Sequence, residues 1–417
     1  MTATREEIPD LAEALRATGA PLVEVTGNDS PASRTCIPRT KLATKVAEVL
    51  ADPIGYPPLS RTIVPGDQVA IATDESTPCL REVVAGVVGY LVANGVTIDL
   101  ITVVTGCQQV QEQLREVLTQ LGHDGRRVVI HDPTDQKSLC FVGMTEDGNA
   151  LLINRTLYEA DVILPIGCAR LEEVPGHAGL YDSIYPRFGD AKTVTRWRSP
   201  AGFEFTSHTS WRRCADKAGW LLGVPLVLKV VPGPNGNVMK LLAGDAPTIA
   251  RRANELCHSL WARSVPSPAS LVVATISGSD VHHNWENVAR ATRAAEPVLV
   301  EGGALAISCA RLSTEPKSIR QLATMDDFAT LQSRLRDDAE NDTWFAWELL
   351  QALDRGPVYL MSDLNDEIVE DLGIAPVGNI AEFARLASRH ESCIVLSDAH
   401  HVIAAVSSSE DSEDQAQ

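Results

Sequence analysis

A short apolar run, Val69-Ala-Ile-Ala-Thr73, leads into a polar loop, Asp74-Glu-Ser-Thr-Pro78, and then into an apolar helical stretch that closes on Asn94-Gly95. The same order recurs at once, with a strand over residues 98–104, the loop Thr105-Gly-Cys-Gln108 and a helix over residues 110–121. Strands at 128–131 and 161–165 follow. A strand that is apolar on both faces and alternates with helices belongs in a parallel sheet covered on both sides. The expected class is therefore α/β, with two Rossmann-like domains, mostly parallel sheets and an inter-domain cleft. Ligands on such sheets sit at the carboxyl ends of the strands, which directs attention to the loops there.

The alternation continues to a helix over residues 247–262, after the hairpin-type turn Gly233-Pro-Asn-Gly236. Two prolines and three serines in Ser264-Val-Pro-Ser-Pro-Ala-Ser270 cannot continue a helix, so a linker is predicted there. This predicts an N-terminal domain over residues 1–265, its first 60 residues a wrapping arm, and a C-terminal α/β domain over 266–406. The polar, acidic stretch 407–417 is expected to be disordered. Acidic residues outnumber basic ones by 55 to 36, a net charge of −19, which repels phosphate backbones and argues against a nucleic-acid partner. Nine scattered cysteines without a C-x-x-C pair suit a reducing cytoplasm. Residues 1–10 read as neither a signal nor a transit sequence. The longest apolar stretch, residues 83–96, is shorter than the ~20 residues a membrane span needs, so no membrane association is expected.

The first two loops carry Asp74, Ser76, Thr77, Thr105, Gly106 and Gln108, small polar groups able to bind a ligand, although ordinary turn chemistry accounts for them as well. The stretch from Glu172 to Tyr185 holds His177, Tyr181, Asp182 and Tyr185, the densest proton-transfer chemistry in the chain. His282-His283 and His400-His401 lack the i,i+4 spacing that sets two imidazoles on one helical face, and read as loop histidines rather than metal ligands. No P-loop, nucleophile-elbow or H-E-x-x-H motif occurs, and Gly302-Gly303 is too short for a dinucleotide fingerprint.

Over residues 60–417 the chain resembles the nickel-dependent lactate racemase family. The marks are Asp161-Val-Ile-Leu-Pro-Ile-Gly167, Glu173-Val-Pro-Gly-His-Ala-Gly179, Leu241-Leu-Ala-Gly-Asp245, Ile276-Ser-Gly-Ser-Asp280 with Asn284, and Val358-Tyr-Leu-Met-Ser-Asp363. The resemblance implies two α/β domains around a nickel-pincer nucleotide, which takes a hydride from a hydroxy acid while two histidines exchange the hydroxyl proton. It also implies a divergent site. Thr77 stands where the family has a carboxylate-binding arginine, Gln108 replaces one histidine, Pro175 aligns with the other, and Tyr185 sits where the cofactor-anchoring lysine is expected. Between residues 178 and 207 there is no histidine to ligate nickel. Asn287 and Arg290 align with family residues near the substrate, and Arg290 retains a positive charge able to hold an anion.

Two functions follow from these residues. One is a racemase- or epimerase-type isomerase on a small 2-hydroxy acid, with His177, Tyr181 and Tyr185 as catalytic candidates. The other is a non-catalytic metabolite- or nucleotide-binding regulatory protein on the same scaffold. In both, the expected partner is a small anionic metabolite, no metal site is expected, the residues support no cofactor beyond the one the resemblance implies, and the sequence sets no oligomeric state.

Overall fold

The computed structural model describes residues 15–16, 22–25, 35–122, 127–203, 205–324, 328–337 and 343–407. The acidic tail past residue 407 and most of the first 34 residues, part of the expected arm, lie outside the described residues. The chain divides into two compact units, Pro31–Ser259 and Leu260–Gln417, the latter with Met1–Ser30.

The first strand, β1 (Leu22–Val25), pairs in parallel with a strand near the C-terminus and so belongs to the C-terminal unit. Nothing in its own four residues names that partner. The rest of the expected arm contains helix α1 (Arg39–Ala51), which buries Leu42, Val46 and Leu50.

The Pro31–Ser259 unit is built on strands β2 (Val69–Thr73), β3 (Ile101–Thr105), β4 (Val128–Ile130), β7 (Val162–Cys168), β8 (Val227–Pro232) and β9 (Val238–Gly244), in spatial order β4-β3-β2-β7-β8-β9. Between β4 and β7 the chain makes the antiparallel pair β5 (Leu139–Met144) and β6 (Ala150–Asn154), which no alternation in the sequence had suggested. All pairings in the main sheet are parallel except β8 with β9, which the Gly233–Gly236 turn joins as a hairpin. All five residues of β2 and all seven of β7 are buried, as a sheet covered on both faces requires. Helices α2 (Leu80–Ala93) and α3 (Gln108–Gln120) follow β2 and β3. The predicted strand over 98–104 begins only at Ile101, because residues 98–100 form a 3₁₀ turn. Helices α4 (Phe205–Leu221) and α5 (Ala246–Trp261) complete the elements that concern the site. One core cluster packs Ala70, Val104, Ile163, Tyr185, Phe188, Trp197 and Trp211.

The C-terminal unit contains β10 (Ala262–Val265), β11 (Ala269–Thr275), β12 (Leu299–Ser308), β13 (Val358–Met361), β14 (Ala375–Pro376), β15 (Cys393–Leu396) and β16 (Ile403–Val406). Its main sheet is all parallel, in the order β1-β15-β11-β12-β13-β14, and β10 pairs with β16. Most of the predicted linker is thus strand. Pro and Ser exclude a helix there but are compatible with extended backbone, and only residues 266–268 separate β10 from β11. Helices α6 (Trp285–Ala295) and α7 (Thr343–Arg355) pack in this unit. Among the described residues no helix is long and apolar enough to cross a membrane.

Candidate functional site

In the first unit β2 lies between β3 and β7, so the loops leaving β2 and β7 diverge at the topological switch point of the sheet. Asp74 follows β2 and Arg170 follows β7, and they meet: an Arg170 Nη1 lies 3.1 Å from Asp74 Oδ2. Arg187 reaches the other Asp74 oxygen at 3.0 Å. Ser76 donates to Asp74, and its hydroxyl also receives the second Arg170 nitrogen. Burial alone would raise the Asp74 pKa, but Arg187 and Arg170 hold it well below the usual carboxylate range. Asp74 and Ser76 are thereby committed to protein partners.

Glu75 ties in the second loop. It accepts from the Thr105 hydroxyl at 3.1 Å, from the Gly106 amide at 2.5 Å and from Arg187 at 2.5 Å. Gln108 begins α3 on the surface and bonds Glu112 at 3.3 Å. Thr77 is buried, and its hydroxyl has no hydrogen-bond partner among the described residues.

The third loop carries a second buried chain of groups. His177 Nδ1 lies 3.0 Å from Asp182 Oδ2, and Lys229 Nζ lies 2.8 Å from Asp182 Oδ1. Lys229 projects from β8, and β7 accommodates it because its opposite residue is Gly167: a Cβ there would stand 2.6 Å from the ammonium. Burial would raise the Asp182 pKa, but Lys229 and His177 push it far down, so the carboxylate stays ionised. Burial pulls the His177 pKa below the ordinary histidine value in spite of Asp182. The imidazole is therefore neutral near neutral pH. An ionised carboxylate only accepts hydrogen bonds, so Nδ1 carries the ring proton and Nε2 keeps a free lone pair.

A cavity of about 450 Å³ opens beside this chain, lined among others by Arg170, His177, Tyr181, Arg212, Asp216 and Lys229, with part of α5 as a further wall. The loop is pressed onto α4 at two glycines. Gly179 sits against the Arg212 stem, where a Cβ would be 2.9 Å from Cγ, and Gly219 lies under the Tyr181 ring. Burial raises the Tyr181 pKa.

His177 and Tyr181 thus share a cavity, but Tyr185 lines a different one, beside Trp211, Thr193 and Arg196. Its phenol is pushed up to about 12 by burial and stays protonated. A neutral phenol is neither the amine a lysine tether requires nor a metal-ligating phenolate, and among the described residues no three His, Cys, Asp or Glu side chains converge as metal donors. These residues do not fit a nickel-pincer nucleotide.

Asn287 and Arg290 belong to the C-terminal unit, on α6. Arg290 pairs with Glu286 and donates to Asn287 Oδ1 at 2.9 Å, while Asn287 Nδ2 donates to the His282 carbonyl at 2.8 Å. At that sheet's own switch point, Ser277 after β11 bonds Asp398 after β15. His283 packs its Nδ1 3.6 Å from Cys309 Sγ, and burial pulls its pKa down to about 4.

Residues 26–199 match the family described as the lactate racemase N-terminal domain. Over that stretch the chain is similar to the lactate racemase family. It is 22% identical over 296 residues to a lactate racemase of Thermoanaerobacterium thermosaccharolyticum, covering 66% of this chain and 68% of that relative. It is 23% identical over 204 residues to a lactate racemase of Lactiplantibacillus plantarum, covering 46% of this chain and about half the relative's length, 47%. The fold matches the lactate racemase apoprotein structure from T. thermosaccharolyticum with a TM-score of 0.69 at 18% identity, over 92% of this chain and 99% of that one. A Thermotoga maritima protein of known structure matches with a TM-score of 0.64 at 13% identity, over 92% and 100%. Within this lactate racemase-like fold, sequence reasoning missed Glu75, Arg170, Arg187, Arg212 and Lys229. For Lys229 a signal existed, since a lone lysine inside the apolar run Val227-Leu-Lys-Val-Val231 must find a buried counter-ion.

Proposed function

We propose that the chain is a lactate racemase-like isomerase with a remodelled site, which binds a small 2-hydroxy acid in the His177 cavity, takes the C2 proton onto His177 Nε2 to leave the planar enediolate, and returns that proton to either face of C2. The observation that carries this reading is the buried His177–Asp182–Lys229 chain at the cavity wall. Asp182 holds the imidazole in the tautomer whose Nε2 accepts a proton, and stabilises the imidazolium that results. Lys229 keeps Asp182 ionised throughout. Burial, aided by the nearby positive charges of Lys229 and Arg170, disfavours a permanently protonated ring, so the proton is readily returned. Arg170, locked to Asp74 and Ser76, joins the first and third loops and fixes the cavity floor.

The test is incubation of single enantiomers of lactate and other 2-hydroxy acids with the purified chain, followed by chiral chromatography. Interconversion that His177→Gln abolishes supports the reading. Absence of interconversion across the panel sinks it. The second reading, binding without turnover, is favoured by the placement of Tyr185 in a separate cavity, which leaves only His177 and Tyr181 of the three catalytic candidates at this one. Calorimetric binding of a hydroxy acid without interconversion would establish it.

A further inference from the structure

Among the described residues three cations line the His177 cavity, and they are not equally available to a ligand. Lys229 and Arg170 are 1% and 2% exposed, and their partners Asp182 and Asp74 are as deeply buried. Withdrawing either cation would strand a buried carboxylate, which makes such pairs strongly resistant to exchange. Arg212 differs. Its side chain is 31% exposed, and its partner Glu172, 2.9 Å away, is 50% exposed. Solvent-screened pairs of that kind contribute little, so replacing Glu172 by another carboxylate is nearly neutral.

Position adds to availability. Gly179 clamps the Arg212 stem and lies two residues from His177 in the same loop, so the guanidinium and the imidazole are held by one short segment. Asp216, four residues along α4 from Arg212, lines the same cavity and places a negative charge one helical turn away. We propose that Arg212 is the carboxylate-binding residue of this cavity, displacing Glu172, and that Asp216 restricts the ligand to a small hydroxy monocarboxylate. This rests on the function proposed above, and it names the residues that hold and select the ligand at that same site.

The experiment is isothermal titration calorimetry of the full chain with glycolate, lactate, lactamide and malate. Glycolate and lactate are expected to bind, the uncharged lactamide not to bind, and the dicarboxylate malate to bind more weakly than lactate. Arg212→Gln should weaken lactate binding about ten- to a hundredfold, the loss of a charge-assisted hydrogen bond. Glu172→Gln, which removes the competing carboxylate, should tighten it severalfold. Both sites are part-exposed, and an unchanged melting temperature confirms that each variant folds. Lactate affinity unchanged in Arg212→Gln, weakened in Glu172→Gln, or undetectable in the parent chain overturns the proposal. The two proposals fail separately. Arg212-dependent binding without stereoinversion retains this inference and removes the isomerase, whereas stereoinversion that Arg212→Gln leaves unchanged in kcat and KM does the reverse.

Discussion

Lys229 on β8 stands opposite Gly167 on β7, and its ammonium occupies the space that a methyl group at position 167 would take. A glycine is needed in an otherwise fully buried, apolar strand because a lysine from the neighbouring strand must cross it to reach Asp182. Gly167→Ala should displace the ammonium and cost ~1–3 kcal/mol, the usual range for overpacking a filled interior. Urea denaturation measures the loss. A variant as stable as the parent, with the same His177 titration by NMR, would show that the lysine does not depend on that gap.

Removing the cation altogether should cost more. In Lys229→Met, Asp182 keeps a buried charge with only a neutral histidine beside it, and breaking a buried pair in this way typically costs ~3–5 kcal/mol. Adding Asp182→Asn removes the stranded charge, so the double variant should recover much of the loss. Chemical denaturation of the two single variants and the double completes the cycle, and strictly additive effects would contradict a coupled pair.

Glu75 joins the loops after β2 and β3. Glu75→Ala leaves the Gly106 amide without its acceptor and releases one partner of Arg187. The expected result is faster hydrogen exchange at Gly106 by about ten- to a hundredfold, as for loss of a hydrogen bond to a charged group. An unchanged exchange rate would mean that the loop holds its shape without Glu75.

In the C-terminal unit, Glu348 on α7 is 4% exposed, and burial, only partly offset by Arg293, pushes its pKa from 4.5 up to about 7. The folded chain therefore binds the proton more tightly than the unfolded one. The stability from keeping this group neutral is complete below pH 4.5 and is lost as pH rises through 7, by about 3 kcal/mol. Glu348→Gln cannot ionise, so its melting temperature should fall less than that of the parent between pH 5 and pH 8. Parallel pH profiles for the two proteins would refute the assignment.

The parallel strands, the helices between them and the loops at their carboxyl ends were legible in the sequence. Continuous apolar runs such as Val69–Thr73 report burial on both faces, and the Gly233–Gly236 turn reports a hairpin, all within a few residues of chain. His177 and Asp74 were legible for the same reason, as polar groups in loops at the ends of such runs. Which elements become neighbours is not a local property. That β1 joins β15, that residues 264–270 are mostly extended strand, and that Tyr185 faces a different cavity from Tyr181 follow from sheet order and from how one loop lies on α4. The same holds for charge. Arg170, Arg187, Arg212 and Lys229 look like ordinary basic residues along the chain, and only the tertiary structure pairs two of them with Asp74, one with Asp182 and one with the exposed Glu172. Hydrophobic periodicity is written residue by residue, whereas the partner of a buried charge is set by which strand lies next to which.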